Sequence, residues 1–459
     1  MTVSPLDSEL FGALFGDPAV AACFSDEARL RSLLEVEAAL ARVEARLGVI
    51  PAAAAERIAA CAELERLDRA EIRAGVERDG VPVIALVQSL REAVGADAAP
   101  YVHWGASSQD IMDSGLVLQL GAAIDRLAPG LEALAIELCR RAVHHRSTVM
   151  AGRTHGQQAV PITFGLKLAG WAAPLLRAVE RLREIRPRLL VVQLGGAAGT
   201  LSALGERGIE VMEALAEELG LGPCVLPWHV QRDSLAEFAS WLSLVSGSVA
   251  KMAQDVILLS QTEVGEVAES SERARGGSST MPQKRNPMIS ERIVAAARKN
   301  AVLLSALHQA LIQEHERGTH GWQLEWLSLP EMVVLTGGAL KQGHAVAQNM
   351  TVDADRMADN LERAGGVVLA EALSYALTPL LPRAEAHERV AAAGRIAVAE
   401  QRPLVDVLRE RLGDDFPDAD IDWRSLAEPG RYLGSADALI DRVLDRAREL
   451  GLLGAPEGS

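Results

Sequence analysis

The chain has 459 residues, of which 24% are charged and 49% hydrophobic, and its formal net charge is −16. That length supports two or three domains around a substantial core. So much negative charge excludes a general nucleic-acid binder and a protein that docks on acidic membranes, because both need a positive field.

An anionic ligand must therefore be held by a local basic site. The basic residues are nearly all arginine, and the lysines are Lys167, Lys251, Lys284, Lys299 and Lys341. Cys23, Cys61, Cys139 and Cys224 form no C-x-x-C pair, so neither a zinc knuckle nor a disulfide framework is expected, and a reduced cytoplasm fits best. The short acidic start Met1 to Glu9 has no leader pattern, and no uninterrupted apolar run is long enough to span a bilayer.

In chain order, the first clear element is an amphipathic helix over 26–47, with Leu33, Val36, Leu40, Val43 and Leu47 at three- and four-residue steps. A polar loop over 96–110 follows, and a new helix is expected to be capped near Asp113 or Ser114. Long helices are predicted over 114–146, 161–186, 233–262, 288–314 and 326–349. The 233–262 stripe of Leu235, Phe238, Leu242, Val245, Val249, Met252, Val256 and Leu259 needs a helical partner along its length. Pro129-Gly130, and Gly170 with Pro174, are expected to kink or interrupt their helices. Alternating β patterns are almost absent; Leu189 to Leu194 is the best candidate and reads equally as a buried helix end. Beyond residue 352 the helices shorten, and a last one is predicted over 435–449.

Polar residues gather at the helix ends in four places: His103 to Asp110, Gly152 to Gln158, Gly276 to Pro287 with Gln261 to Glu263 and Glu266 before it, and Gln313 to Arg317 with Thr319 and His320. Each has a plain structural reading. An isolated Ser pair such as Ser107-Ser108 more often caps a helix than binds a ligand. A lone histidine such as His229, His308 or His344 is more often a satisfied core or surface residue. His315 and Glu316 point apart on a helix and make a poor metal pair. Neither a P-loop nor a dinucleotide fingerprint is present, so no cofactor and no metal is expected. The 276–287 stretch suits a moving loop, with Pro287 opening a helix whose positive end would welcome an anion.

Gly277-Ser278-x-x-Met281-x-x-Lys284-x-Asn286 resembles the signature of the fumarase/aspartase superfamily. The similarity extends to Ser107-Ser108-Gln109-Asp110, Arg153-Thr154-His155-Gly156-Gln157, Gln231-Arg232-Asp233 and Tyr432-Leu433-Gly434. Overall, the chain is most similar to the bacterial 3-carboxy-cis,cis-muconate cycloisomerases, while Thr154-His155-Gly156-Gln157 resembles adenylosuccinate lyases. Departures from the cycloisomerase pattern are His155 in place of tryptophan, Gly318-Thr319-His320 in place of Ser-Leu-Gly, and Gln283 in place of histidine.

The resemblance implies an all-α, three-domain fold with a central long-helix bundle, divided as 1–112, 113–351 and 352–459. It implies a homotetramer whose active sites are shared between subunits, and a small anionic di- or tricarboxylate substrate. It also implies removal of a proton next to a carboxylate, through an aci-carboxylate intermediate. In that reading Ser278 is the base, supported by Lys284 and by the following helix N-terminus. His155 serves the departing group as acid or base. Ser107, Ser108, Thr154, Gln157, Gln231, Ser279, Met281, Asn286 and Arg317 bind the substrate, the arginine through its fork.

Expulsion of an amine-like group gains more from a positioned acid than expulsion of a carboxylate does. His155 therefore orders three readings: a β-elimination lyase on a substituted succinate that releases fumarate or an analogue, then a carboxymuconate cycloisomerase, then a catalytically silent structural homologue.

Overall fold

The computed structural model describes residues 3–269, 281, 284–413 and 421–454. The fold is all-α, as expected, with long helices over Ser108–His144, Phe164–Leu189, Asp233–Leu259, Met288–Gln309 and Gly321–Asn349. All eight residues of the 233–259 stripe are buried, none more than 3% exposed. This helix is long and apolar enough on composition alone to cross a membrane. Its buried stripe is that of a core helix.

Several sequence expectations shift. The helix expected from 114 begins at Ser108, and Ser107 caps it. The Ser107 amide donates to Asp110 Oδ2 at 2.7 Å and the Asp110 amide to Ser107 Oγ at 3.5 Å, which is the reciprocal arrangement of a capping box. Asp113 and Ser114 lie inside the helix and face buried partners instead. Pro129 is accommodated within the Ser108–His144 helix, and Phe164–Leu189 runs through Gly170 and Pro174. Leu189 ends that helix, and beyond it Val191 makes one isolated bridge to Gly222.

The main departure is a β-hairpin. Strand β1 (Val149–Thr154) pairs antiparallel with β2 (Gln157–Thr163) where a polar connection and, from 161, the start of a helix were expected. Three features hid it. Val149 to Thr154 does not alternate, β2 contains Pro161, and the two-residue turn is His155-Gly156 rather than the usual Asn-Gly. Both turn residues have positive φ, 50° and 77°, as a type I′ turn requires. A bulge lies between Ala151 and Arg153, where a Cβ on Gly152 would meet the Val160 carbonyl at 2.8 Å. A second short pair joins β3 (Val267–Ala268) to β4 (Thr351–Val352).

The chain divides into two compact units: Met1–Leu131, Ala178–Gly247 and Ala295–Lys341 form the first, and Glu132–Arg177, Ser248–Val294 and Gln342–Ser459 the second. In the first, helix Asp26–Arg46 packs Leu33, Leu34 and Val36 with Ile58, Leu86 and Leu90. Its other side packs Leu40 and Val43 with Val211 and Leu215. In the second, Leu369, Leu373, Val390, Leu404 and Leu408 form a core that includes Ala151 of β1.

Candidate active site

In the first unit, one buried carboxylate organises the polar residues. Asp110, fully buried, accepts hydrogen bonds from the Ser107 amide (2.7 Å) and hydroxyl (2.8 Å), the Gly195 amide (2.9 Å), the Gly196 amide (3.0 Å) and His229 Nε2 (2.7 Å). Arg317 closes over this cluster. Its Nη1 donates to Gln109 Oε1 at 3.0 Å, and its Nη2 donates to the carbonyls of Gly196 and Ala197 at 2.9 Å each and to Ser107 Oγ at 3.3 Å. His315, two residues earlier, turns the chain at a φ of 50°. The guanidinium is thus fixed in place while Arg317 remains partly exposed, a pre-oriented cation suited to a carboxylate.

A second buried layer supports the first. Gln109 Nε2 donates to Asp113 Oδ2 (3.1 Å) and to the His229 carbonyl (3.0 Å). Asp113 in turn takes both terminal nitrogens of Arg232 at 2.7 and 3.0 Å and the indole N–H of Trp322 at 3.1 Å. Arg232 also forks onto Glu325 at 2.9 and 2.5 Å. Burial works against the Arg232 charge, but Asp113 and Glu325 outweigh it and hold the guanidinium protonated. For Glu325 burial prevails and keeps its carboxyl above the ordinary range despite Arg232.

His103 shares this unit. Its Nδ1 lies 2.6 Å from Glu37 Oε1; burial lowers its proton affinity, but the Glu37 charge and hydrogen bond reverse the balance and raise it. Two turns along the same helix, Glu44 is 1% exposed, and neither carboxylate oxygen has a hydrogen-bond partner among the described residues. Burial, with the nearby Glu37 charge, pushes its pKa up to about 9.

In the second unit, His155 occupies the exposed tip of the hairpin, flanked by exposed Thr154 and Gln157. Below the tip, Arg153 makes a two-pronged ion pair with buried Glu266, at 2.8 and 2.6 Å. Of the signature stretch, Met281 and Lys284 are exposed and Asn286 is half-buried. Ser278 and Ser279 lie outside the described residues.

The expected anion-receptive helix end is already occupied by the chain itself. Glu269 accepts from the amides of Ile289 (3.1 Å) and Ser290 (2.7 Å) and from the Ser290 hydroxyl (2.6 Å). The first turn of Met288–Gln309 is therefore neutralised by an internal carboxylate, which corrects the expectation that it supports the base.

The structure thus brings Ser107 and Arg317 together, with Ser108 opening the adjoining helix. Gln231 is exposed, and its neighbour Arg232 is the residue that enters the buried network. Sequence reasoning gave Asp110 and Gln109 no role of their own, and it read His229 as a satisfied core or surface residue, which its buried bond to Asp110 bears out. Asp110 three residues after Ser107 was the available signal, since that spacing is a capping box. Among the described residues there is no group of three or more side chains able to hold a metal ion.

A family model described as "Lyase" matches residues 16–300. A 3-carboxy-cis,cis-muconate cycloisomerase of Pseudomonas aeruginosa is 48% identical over 449 residues, covering 97% of each chain. A nitrosuccinate lyase of Streptomyces davaonensis is 38% identical, covering 96% of each. The crystal structure of the 3-carboxy-cis,cis-muconate lactonizing enzyme from Pseudomonas putida matches with a TM-score of 0.90 at 43% identity, covering 97% of this chain and all of the other. The chain belongs to this lyase family, within the fumarase/aspartase superfamily of all-α enzymes.

Proposed function

We propose that this lyase is a cycloisomerase acting on 3-carboxy-cis,cis-muconate or a close tricarboxylate analogue. The observation that carries the reading is 48% identity to the Pseudomonas aeruginosa cycloisomerase across nearly the full length of both chains. In the lactonising direction a substrate carboxylate oxygen adds to a carbon of a double bond. The neighbouring carbon takes up one proton, so a trianion becomes a dianionic lactone. Arg317, held by Gln109, Ser107 and two carbonyls, suits a carboxylate of such a substrate. Ser278 is the proposed proton-transfer group, with Lys284 as electrostatic support and Asn286 as a carboxylate ligand.

His155 favours a second reading, β-elimination from a substituted succinate. An imidazole at an exposed hairpin tip suits protonation of a leaving group that carboxylate expulsion hardly needs. The similarity to a nitrosuccinate lyase supports this alternative.

We further propose a homotetramer with shared sites, supported by exposed apolar residues on the long helices, including Leu244, Val302 and Leu327 at 52%, 69% and 74%. A monomer in light scattering at micromolar concentration would contradict that assembly.

An ultraviolet assay with carboxymuconate, nitrosuccinate, aspartate, argininosuccinate and adenylosuccinate in parallel tests the reaction. Turnover of carboxymuconate alone is expected. Formation of a fumarate-type product from a succinate, without lactonisation, would move the assignment to elimination. Ser278→Ala should abolish either reaction while leaving binding intact.

A further inference from the structure

We propose that Glu266 is a positioning residue that aims the hairpin tip bearing His155, through one two-sided anchor shared with Asn360. The proposal rests on the reading of His155 as an acid-base group.

Arg153 and Gln158 are register partners across the hairpin, with only Thr154↔Gln157 between them and the His155-Gly156 turn. Both are fastened to the same place. Arg153 Nη1 and Nη2 donate to Glu266 Oε2 and Oε1 at 2.8 and 2.6 Å. Gln158 Nε2 donates to the Asn360 carbonyl at 3.1 Å.

Asn360 and Glu266 are themselves joined, because Asn360 Nδ2 donates to Glu266 Oε1 at 2.8 Å and to the Val264 carbonyl at 2.9 Å. The anchor is fixed by backbone as well. The Glu266 amide donates to the Leu259 carbonyl at 3.0 Å, and the Glu266 carbonyl accepts from the Asp353 amide at 3.0 Å. Arg356 Nε adds a bond to the Val264 carbonyl at 3.0 Å.

A two-stranded ribbon held by its turn alone pivots easily. Gripping both strands at one register level removes that pivot and leaves only the four-residue tip to move. Glu266 is fully buried, so its charge-assisted fork with Arg153 resists solvent competition. A tight grip matters because a displacement of about 1 Å at a reacting group can cost on the order of 10²-fold in rate.

The test compares wild type, Glu266→Gln, His155→Ala and the double variant by hydrogen exchange and by steady-state kinetics on the carboxylate turned over. In Glu266→Gln the amides of 153–158 are expected to exchange about tenfold faster or more, with the rest of the chain unchanged. Its kcat should fall by no more than in His155→Ala, with KM nearly unchanged, and the added loss should vanish in the His155→Ala background. Arg153→Lys keeps the charge but breaks the fork, and it should reproduce the faster exchange if Glu266→Gln does not fold.

Unchanged hairpin exchange in both variants, or an equal kcat loss with and without His155, would overturn the proposal. A His155→Ala protein as active as wild type would instead count against the acid-base reading, and hairpin exchange alone would then judge the anchor.

Discussion

The Arg317 cluster and the hairpin tip hold their polar groups in opposite ways. At Arg317 the polar groups hold one another: Asp110 accepts five hydrogen bonds, and the two terminal nitrogens of the guanidinium donate four to oxygen acceptors. At the tip, His155, Thr154 and Gln157 are exposed, and order is supplied from two residues below by Arg153 and Glu266. The first arrangement suits a binding element whose geometry must not change. The second suits a proton-transfer group that must meet its substrate freely, and it separates the residues needed for folding from those needed for chemistry.

Substitutions should expose that difference. Within these two regions Arg317→Ala carries the largest expected loss, on the order of 10³-fold in kcat/KM, because it removes a fixed charged donor and leaves the Gly196 and Ala197 carbonyls unpaired. Thermal melting should fall as well, and an unaltered kcat/KM would remove Arg317 from the substrate site.

Asp110→Asn should cost about 2–4 kcal/mol of stability in denaturant titrations, since an amide cannot accept all five bonds of a buried carboxylate. A change within experimental error would show that the network is redundant. His155→Ala should leave the denaturation midpoint almost unmoved, because no packing depends on the exposed ring. Elimination, where it occurs, should fall about 10²-fold or more and lactonisation much less. A large loss of stability in this variant would erase the contrast between the two regions.

Outside both regions, a pH-dependent effect concerns Glu44. In the folded chain its carboxyl, pushed up to about 9, stays neutral at pH 7, whereas in the unfolded chain it ionises above its ordinary value of 4.5. The unfolded state therefore gives up the proton first, and this group lowers stability progressively as pH rises from 4.5 towards 9. At pH 7 the penalty is about 3 kcal/mol, from roughly 1.4 kcal/mol per pH unit. Glu44→Gln should flatten the decline of stability over this range and raise stability at pH 7; identical pH profiles would show that Glu44 is ionised in the fold.

The long helices were legible in the sequence because their apolar residues repeat at three and four positions, and the 233–259 stripe is buried residue for residue. The hairpin was not, since Gly152, Pro161 and the His155-Gly156 turn carry no alternation or familiar turn signal. Ser107 and Arg317 were legible as polar residues at helix ends. The pairing of Asp110 with His229 beneath them was hidden, because it depends on contacts 119 residues apart in sequence. Glu269 was hidden for a related reason: nothing local marks an acidic residue as the cap of a helix that starts some 20 residues later.

The central claim is tested most directly by incubating the purified protein with 3-carboxy-cis,cis-muconate in D₂O, following the diene absorbance and analysing the product by NMR. The account expects loss of the absorbance and a lactone carrying one solvent-derived deuterium on the carbon next to the new C–O bond. An unchanged absorbance with no deuterium uptake, from protein that forms a fumarate-type product from a substituted succinate, would contradict it.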